Sequence, residues 1–406
     1  MDFNEATLDF IRRHADDDVS ALALQAGKHP GVDMQAALAQ IAGRQRMQAK
    51  VPSWARQEGI VYPPQLPLEQ CSSEETARHK AEIVEQGDGE RQRLVDLTGG
   101  FGVDCAFLSR LFRTTAYVER QEELCRAARH NFPLLGLTSI EVHHADSTEF
   151  LRQMPPADMI FIDPARRDSR GGKTVAIADC EPDVGALEPL LLAKAERVLV
   201  KLSPMLDIFL AVHSLQHVQA VHIVSVVGEC KELLLVLDRG TTLPADEVPI
   251  HCTNLLSGQP DFSFTRRQEQ ASPCPLAPAV GAYLYEPNAS ILKAGAFRSL
   301  AYIYKVEKLH PNSHLYTSDE FVPHFPGRKF RVEACCGFAK KDIALLLGTD
   351  RKANLTVRNF PATVAELRKR LRLHEGGDRY LFATTLADDR KVLIGCRTAA
   401  DTASHH

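Results

Sequence analysis

Ten consecutive residues, Val95-Asp96-Leu97-Thr98-Gly99-Gly100-Phe101-Gly102-Val103-Asp104, carry the strongest chemical signal in this chain. A short apolar run that ends in a carboxylate reads as a buried strand. Glycines directly after it let the backbone turn tightly under a ligand before a helix opens. In doubly wound sheets the crevice beyond the carboxyl ends of the strands is where nucleotides bind. Two kinds of cofactor compete for such a turn. A dinucleotide fold wants G-x-G-x-x-G, but Gly100-Phe101-Gly102-Val103-Asp104 is followed by Cys105. Asp96 also sits awkwardly beside a pyrophosphate. S-adenosylmethionine brings a sulfonium and an ammonium, so the same acid favours it. The bland alternative is a glycine-rich strand-to-helix turn with no ligand.

Two further acids fall in register with that turn. Glu119 ends a second apolar run, 17 positions past Gly102, where a carboxylate can accept hydrogen bonds from both ribose hydroxyls. Asp146, in His144-Ala145-Asp146-Ser147, is placed to accept from an adenine amino group or to cap the helix that follows, and the two roles are compatible.

Stepping along the chain, residues 1–75 read as a small helical unit broken by Val61-Tyr62-Pro63-Pro64-Gln65-Leu66-Pro67. A helix begins at Ser72 or Ser73, and Ser72 and Glu75 have capping-box spacing. From 76 to 240, short apolar strands at Leu94–Leu97, Thr115–Glu119, Ser139–His143, Met159–Ile162, Arg197–Leu202, Val221–Val227 and Glu232–Leu237 alternate with helical segments, which predicts a parallel, doubly wound sheet. Residues 241–274 are rich in Pro, Gly, Ser and Thr and read as a linker. A second α/β pattern follows to residue 398.

At Ile162-Asp163-Pro164-Ala165-Arg166-Arg167-Asp168 the chain resembles class I S-adenosylmethionine-dependent methyltransferases. The resemblance implies a Rossmann-like, doubly wound, seven-stranded sheet. It implies cofactor-binding roles for Asp96, Thr98, Gly100, Gly102, Glu119 and Asp146, with Thr98 standing where many members have glycine. It implies a catalytic segment at Asp163, Pro164 and Arg166. More narrowly, Leu68 to Ala77, Asp163 to Arg167, Val200-Lys201-Leu202-Ser203-Pro204-Met205, Val357-Arg358-Asn359-Phe360-Pro361 and Gly376 to Ala383 resemble the bacterial methyltransferases with a C-terminal THUMP-like domain. That likeness implies a ferredoxin-like subdomain at 275–320 and a THUMP-like, RNA-binding domain at 321–398.

The fourth-strand segment departs from one pattern of that class. Methyltransferases of exocyclic base amines carry Asn/Asp-Pro-Pro-aromatic, whereas Ala165-Arg166 stands here in place of Pro-aromatic. An arginine there can stack on a base or pair with a phosphate. Uridine carbon-5 methyltransferases need a cysteine nucleophile after the next strand, where this chain has Ser203-Pro204. Cys230 is the nearby candidate and reads as structural. Methyl transfer from a sulfonium needs nucleophile, methyl and sulfur in line rather than strong acid–base help. Asp163 would accept a hydrogen bond from the substrate's N–H or O–H and orient its lone pair. Lys201 reads as a phosphate contact or as a strand end.

Bulk composition bounds the partners. With 44% hydrophobic residues a sizeable core is available, yet no run reaches 18 apolar residues, so no membrane span is expected. Ten dispersed cysteines without C-x-x-C spacing argue against a metal or disulfide framework and fit a reducing cytoplasm. The net charge of −4 is uneven: Tyr285 to Thr398 carries a balance of +8 and the rest −12. Lys340, Lys341, Arg351, Lys352, Arg358, Arg368, Lys369, Arg370 and Arg372 concentrate the positive charge, as a polyanion-facing surface requires. An RNA base methyltransferase is therefore the leading expectation. A small-molecule methyltransferase and a non-catalytic RNA-binding protein on the same fold are the alternatives.

Overall fold

The computed structural model describes residues 3–166, 176–348 and 351–399, with the side chain of Arg166 outside that description. The chain divides into two compact units, Met1–Gln219 with Leu234–Leu243, and Ala220–Leu233 with Pro244–His406.

The first unit is built on the parallel strands β1 (Arg93–Asp96), β2 (Thr114–Glu119), β3 (Ile140–His144), β4 (Ala157–Ile162) and β5 (Ala195–Leu202). Strands β6 (Val218–Val226) and β7 (Glu229–Asp238) contribute residues to both units. Within the first unit the order is β7-β5-β4-β1-β2-β3. Leu94, Val95, Ile160, Ile162, Val198, Leu199 and Val200 are fully buried. Such continuous apolar runs are what strands covered on both faces require. The register sets Val95 between Ala116 and Ile160, and Ile162 beside Val200. The carboxyl ends of β1, β2, β4 and β5 therefore line one edge.

The expected helical unit 1–75 is not self-contained. Phe10, Leu22, Ala37 and Ile41 form a small cluster of their own. Met47, Val51, Trp54, Ile60, Tyr62 and Leu68 instead join Phe101, Phe107, Tyr117 and Phe132 in the main core. Trp54 meets the Phe101 ring edge-on at 5.0 Å, so the N-terminal segment braces the glycine turn. Pro63 and Pro64 interrupt the helices without separating a domain, because the apolar residues on both sides have the same core to fill. The helix Glu74–Gln86 is capped by Ser73, whose Oγ accepts from Thr76 N–H at 3.3 Å. Of the two starts expected, Ser73 is thus the cap, and Ser72 turns inward.

In the second unit, β8 (Pro249–Leu255) and β9 (Phe262–Thr265) extend the order as β9-β8-β6-β7. Among the described residues the strands paired in this order number nine, where seven were expected. The segment 241–274 is correspondingly no linker: besides these strands it holds the helix Arg266–Ala271. Its weak strand propensity is overridden by pairing, since β8 lies parallel to β6 from Ile250 to Leu255 and antiparallel to β9.

A second sheet follows in the same unit, from β10 (Tyr283–Pro287), β11 (Glu307–Lys308), β12 (Tyr316–Ser318), β13 (Gly327–Cys336), β14 (Asn354–Val357), β15 (Arg379–Thr385) and β16 (Lys391–Thr398). The order is β11-β12-β10-β13-β16-β15-β14. β13 pairs with β10 on one side and β16 on the other, so the expected border at 320 and 321 falls inside one continuous sheet. Phe330, Phe382, Leu284 and Ile394 fill its core.

Trp54 is 2% exposed, so Trp54→Ala is expected to cost about 3–5 kcal/mol of stability through transfer and cavity effects. Urea unfolding followed by circular dichroism checks this. A cost below about 1 kcal/mol would mean that the N-terminal segment does not share the main core.

Candidate cofactor and catalytic site

The glycine turn is held on three sides. Leu97 N–H donates to Phe161 O at 3.0 Å, and Gly99 N–H to Val118 O at 2.9 Å. Tyr117 Oη donates to Gly100 O at 2.5 Å. Gly100 and Gly102 have φ of +55° and +87°, which glycine adopts without steric cost. The closest approach is at Gly99, which sequence reasoning did not single out. A Cβ there would stand 2.2 Å from the Tyr117 ring, and one at Gly102 would stand 2.8 Å from Phe132. At Gly100 the direction of the missing Cβ is open, with only Thr98 O at 3.9 Å.

The acids around the turn are placed by β-strand ends. Glu119, 8% exposed, accepts from Gly100 N–H at 2.9 Å through one oxygen and from Gln121 N–H at 2.8 Å through the other. Each oxygen keeps a second lone pair. Asp96 is 1% exposed and accepts from Thr98 N–H at 3.0 Å. Burial, reinforced by Asp104, Asp163 and Glu119, raises its carboxyl well above the usual range. Asp146 caps the helix Ser147–Gln153, accepting from Thr148 and Glu149 N–H at 2.9 and 3.0 Å.

Thr98 does something that glycine cannot. Its Oγ1 accepts from Asp163 N–H at 2.6 Å, which ties the turn after β1 to the end of β4. The Asp163 side chain is 36% exposed and lies 2.5 Å from Lys201 Nζ on β5. Burial of the carboxyl raises its affinity for a proton, Lys201 opposes this, and the balance stays above the ordinary value. Lys201 also lies 3.4 Å from Asp104, which in turn lies 3.2 Å from Lys80. Ser72 Oγ donates to Asp104 at 2.7 Å. Burial alone would raise Asp104, but Lys80 and Lys201 hold it below the usual range. The result is an alternating row, Lys80, Asp104, Lys201, Asp163.

The structure therefore brings together Asp96, Thr98, Gly100, Gly102, Glu119 and Asp163, with Pro164 buried directly after Asp163. Arg166 pairs through its backbone with Cys180, and its side chain lies outside the described residues, as do Arg167 and Asp168. Lys80 and Asp104 were not assigned from sequence, and Ser72 was assigned only to a helix start. One signal was present: Lys80 follows Thr76 and Ala77 at helical spacing, on the inward stripe of its helix. Cys230, half-buried at the start of β7, has its thiol pushed up to about 11, by burial first, which suits a structural role. Among the described residues no group of three His, Cys, Asp or Glu side chains is placed to hold a metal, and no helix is long and apolar enough to cross a membrane.

Comparison with known proteins agrees with this geometry. Residues 71–168 match the family model of protein-L-isoaspartate(D-aspartate) O-methyltransferase, 283–326 a ferredoxin-like domain, and 327–398 a THUMP domain-like family. A crystal structure from Porphyromonas gingivalis W83, provisionally assigned as a methyltransferase, is 37% identical, with a TM-score of 0.87 over 98% of this chain and 100% of that one. The chain belongs to that protein's family, methyltransferases with a C-terminal THUMP-like domain. Protein-L-isoaspartate O-methyltransferases are similar over shorter stretches. The one from Pelobacter propionicus is 37% identical over 70 residues, and that from Dinoroseobacter shibae 34% identical over 83. These stretches cover 17% and 20% of this chain, and 31% and 38% of those relatives' lengths.

The cofactor of these methyltransferases is S-adenosylmethionine. The turn suits it: the Gly100 edge is open, Glu119 retains acceptor capacity, and the surrounding carboxylates favour a cation over a pyrophosphate.

Two expected outcomes follow from the buried charges. A carboxyl whose folded-state affinity for protons is raised costs the fold stability progressively as pH rises from its unfolded value through its folded one. Asp96→Asn keeps an acceptor for Thr98 N–H, so it is expected to raise the melting temperature at pH 8, with the gain shrinking toward pH 5. A variant less stable than wild type at pH 8 would contradict the raised value. Lys80→Met leaves Asp104 with a fully buried neighbour removed, at an expected cost of about 3–5 kcal/mol, read by urea unfolding.

Proposed function

We propose that this chain transfers a methyl group from S-adenosylmethionine to a base of a structured RNA, with Asp163 orienting the nucleophile. The observation that carries the catalytic part is the position of Asp163. Its carboxylate is partly exposed at the carboxyl end of β4, its backbone is tied to the cofactor turn through Thr98, and its charge is balanced by Lys201. The cofactor supplies a methyl on a positively charged sulfur, which a nucleophile displaces in line.

Each residue then has a defined task. Gly100 and Gly102 give the backbone its close approach, and Glu119 accepts from the ribose hydroxyls with its remaining lone pairs. Asp96 holds the turn through Thr98 N–H, and a cation above it would favour its ionised form. Asp146 combines its capping role with an acceptor at the adenine side. Asp163 accepts from the substrate's N–H or O–H and aligns the lone pair. Pro164 stiffens the segment after it, and Arg166 stacks on the base or pairs with its phosphate.

Two observations favour RNA over a small molecule. Residues 327–398 match a THUMP domain-like family, and Tyr285 to Thr398 carries a charge balance of +8, which suits phosphate contacts. The isoaspartate match ends at residue 168. It covers the cofactor-side strands β1 to β4 and stops before β5, so it speaks to the cofactor half rather than to the acceptor.

Calorimetry with S-adenosylmethionine, followed by methyl transfer to total RNA from cells lacking the gene, tests the reading. Binding and RNA labelling are both expected. Binding without labelling would move the assignment to a small-molecule acceptor, and no binding would remove the enzyme. Asp163→Ala is expected to abolish turnover while cofactor affinity stays within about tenfold, roughly 1.4 kcal/mol. Equal loss of both would refute the role given to Asp163.

A further inference from the structure

One sequence segment, Val357-Arg358-Asn359-Phe360-Pro361, has no part in the site above. It lies in the second unit, where Arg358 follows directly on β14. Its backbone is fixed there: Arg358 N–H donates to Ala383 O at 3.0 Å, and Thr385 Oγ1 donates to Asn359 O at 2.6 Å. The Arg358 side chain reaches Glu286 on β10, with Nε donating to Oε1 at 3.0 Å and Nη2 lying 2.9 Å from the same oxygen. Glu286 faces Arg328 directly across the β10–β13 ladder. Arg328 donates through Nε to the other oxygen, Oε2, at 2.8 Å, and through Nη2 to that same oxygen.

One carboxylate is therefore shared by two guanidinium groups. Glu286 has a side chain only 4% exposed, while those of Arg328 and Arg358 are 47% and 39% exposed. A buried carboxylate needs a counter-charge, and one arginine supplies it. The second leaves a local excess of one positive charge, held in fixed geometry at the surface. Each guanidinium has five N–H donors, and the Nε and Nη2 edge is the part given to Glu286. Aromatic rings set the pose further: the Arg328 guanidinium carbon stands 5.4 Å from the Phe330 ring centroid and 5.9 Å from that of Tyr380. More positive charge lies close by. Burial first, and then the charges of Lys308 and Arg358, push His314 down to about 4, which keeps its ring neutral. That ring stacks on Phe297 at 3.7 Å. Asp389 is 91% exposed and faces His310 at 3.9 Å.

We propose that Arg328 and Arg358 form a two-guanidinium clamp for a backbone phosphate of RNA, with Glu286 as the buried positioning residue that sets their spread. The proposal rests on RNA being the substrate. A phosphodiester seated there neutralises the excess charge and takes up outward N–H donors in fork geometry, which lysine cannot reproduce. A purely structural triad would also bury Glu286, but it would leave RNA affinity insensitive to the identity of the two cations.

The test uses the full chain and total transfer RNA, with affinity measured by fluorescence anisotropy across a salt series. Arg328→Gln and Arg358→Gln are each expected to weaken binding about tenfold and to lower the salt slope by about 0.7–0.9. Arg328→Lys and Arg358→Lys keep the charge, so the slope should hold while affinity still falls about threefold or more. Glu286→Gln separates the two physical pictures. Long-range attraction alone would tighten binding when a negative charge is removed, whereas a clamp that loses its positioning residue binds more weakly. Should that buried variant not fold, the lysine variants decide. Unchanged affinity and slope in the glutamine variants, or tighter binding by Glu286→Gln, would overturn the clamp. Inorganic tripolyphosphate distinguishes the source. If it binds in an Arg328- and Arg358-dependent way while transfer RNA does not bind, the RNA clamp is overturned and the pair is a site for a small polyphosphate. If transfer RNA binds through the clamp yet is not methylated, the clamp stands and the assigned reaction falls.

Discussion

The backbone between Asp96 and Gly102 rests on the rings of Tyr117 and Phe132, and the site depends on that contact. With no Cβ at Gly99 or Gly102, the chain leaving β1 can lie against β2 and its following helix and still turn into the helix Val103–Leu108. Any side chain at Gly99 would meet the Tyr117 ring well inside van der Waals distance. The same ring returns a hydrogen bond to Gly100 O, so one aromatic residue both requires the glycine and fixes the turn. Phe101, on the outer side, is packed by Trp54 from the N-terminal segment. A turn gripped from both sides presents a preformed surface, and little conformational entropy is lost when a ligand binds to it.

Charge is arranged around that turn with unequal solvent access. Asp96 is almost fully enclosed and is held near Asp104, Asp163 and Glu119, a crowding of acids that a neighbouring cation would relieve. Asp163 reaches solvent, and its partner Lys201 stands between it and Asp104. Lys80, with no exposed side-chain surface, completes the row. Low local polarity strengthens each of these interactions and makes each expensive to break. The helix Glu74–Gln86 supplies Lys80 and follows Ser72 in the chain. It is thus part of the candidate site's architecture, although it precedes the first strand of the sheet.

The second unit uses the same device for another purpose. Glu286 is as enclosed as the acids of the first unit, but its two arginines remain at the surface. A buried carboxylate beneath exposed guanidiniums orients cations, where a buried row such as Lys80 to Asp163 orients an acid. The sheet that carries this arrangement is continuous from β11 to β14. The ferredoxin-like and THUMP-like portions therefore share β10–β13 pairing and are mechanically joined through it.

What the sequence determined by itself was local and periodic. The alternation of apolar strands and helices, the glycines after Asp96, and the acids at the ends of β2 and β4 are readable because strand burial, turn sterics and ligand charge each constrain short stretches of chain. Tertiary structure decided whatever depends on residues far apart. Thr98 looked like an imperfect glycine until Asp163, 65 residues later, was found to donate to it. Lys80 carried no assignment in the sequence, and its neighbours Asp104 and Ser72 explain its burial. Residues 241–274 lacked strand propensity and became strands because β6 offered an edge to pair with. The N-terminal helices lost their independence because their apolar faces found the main core. In each case the deciding contact is long-range, and no window of sequence contains both of its partners.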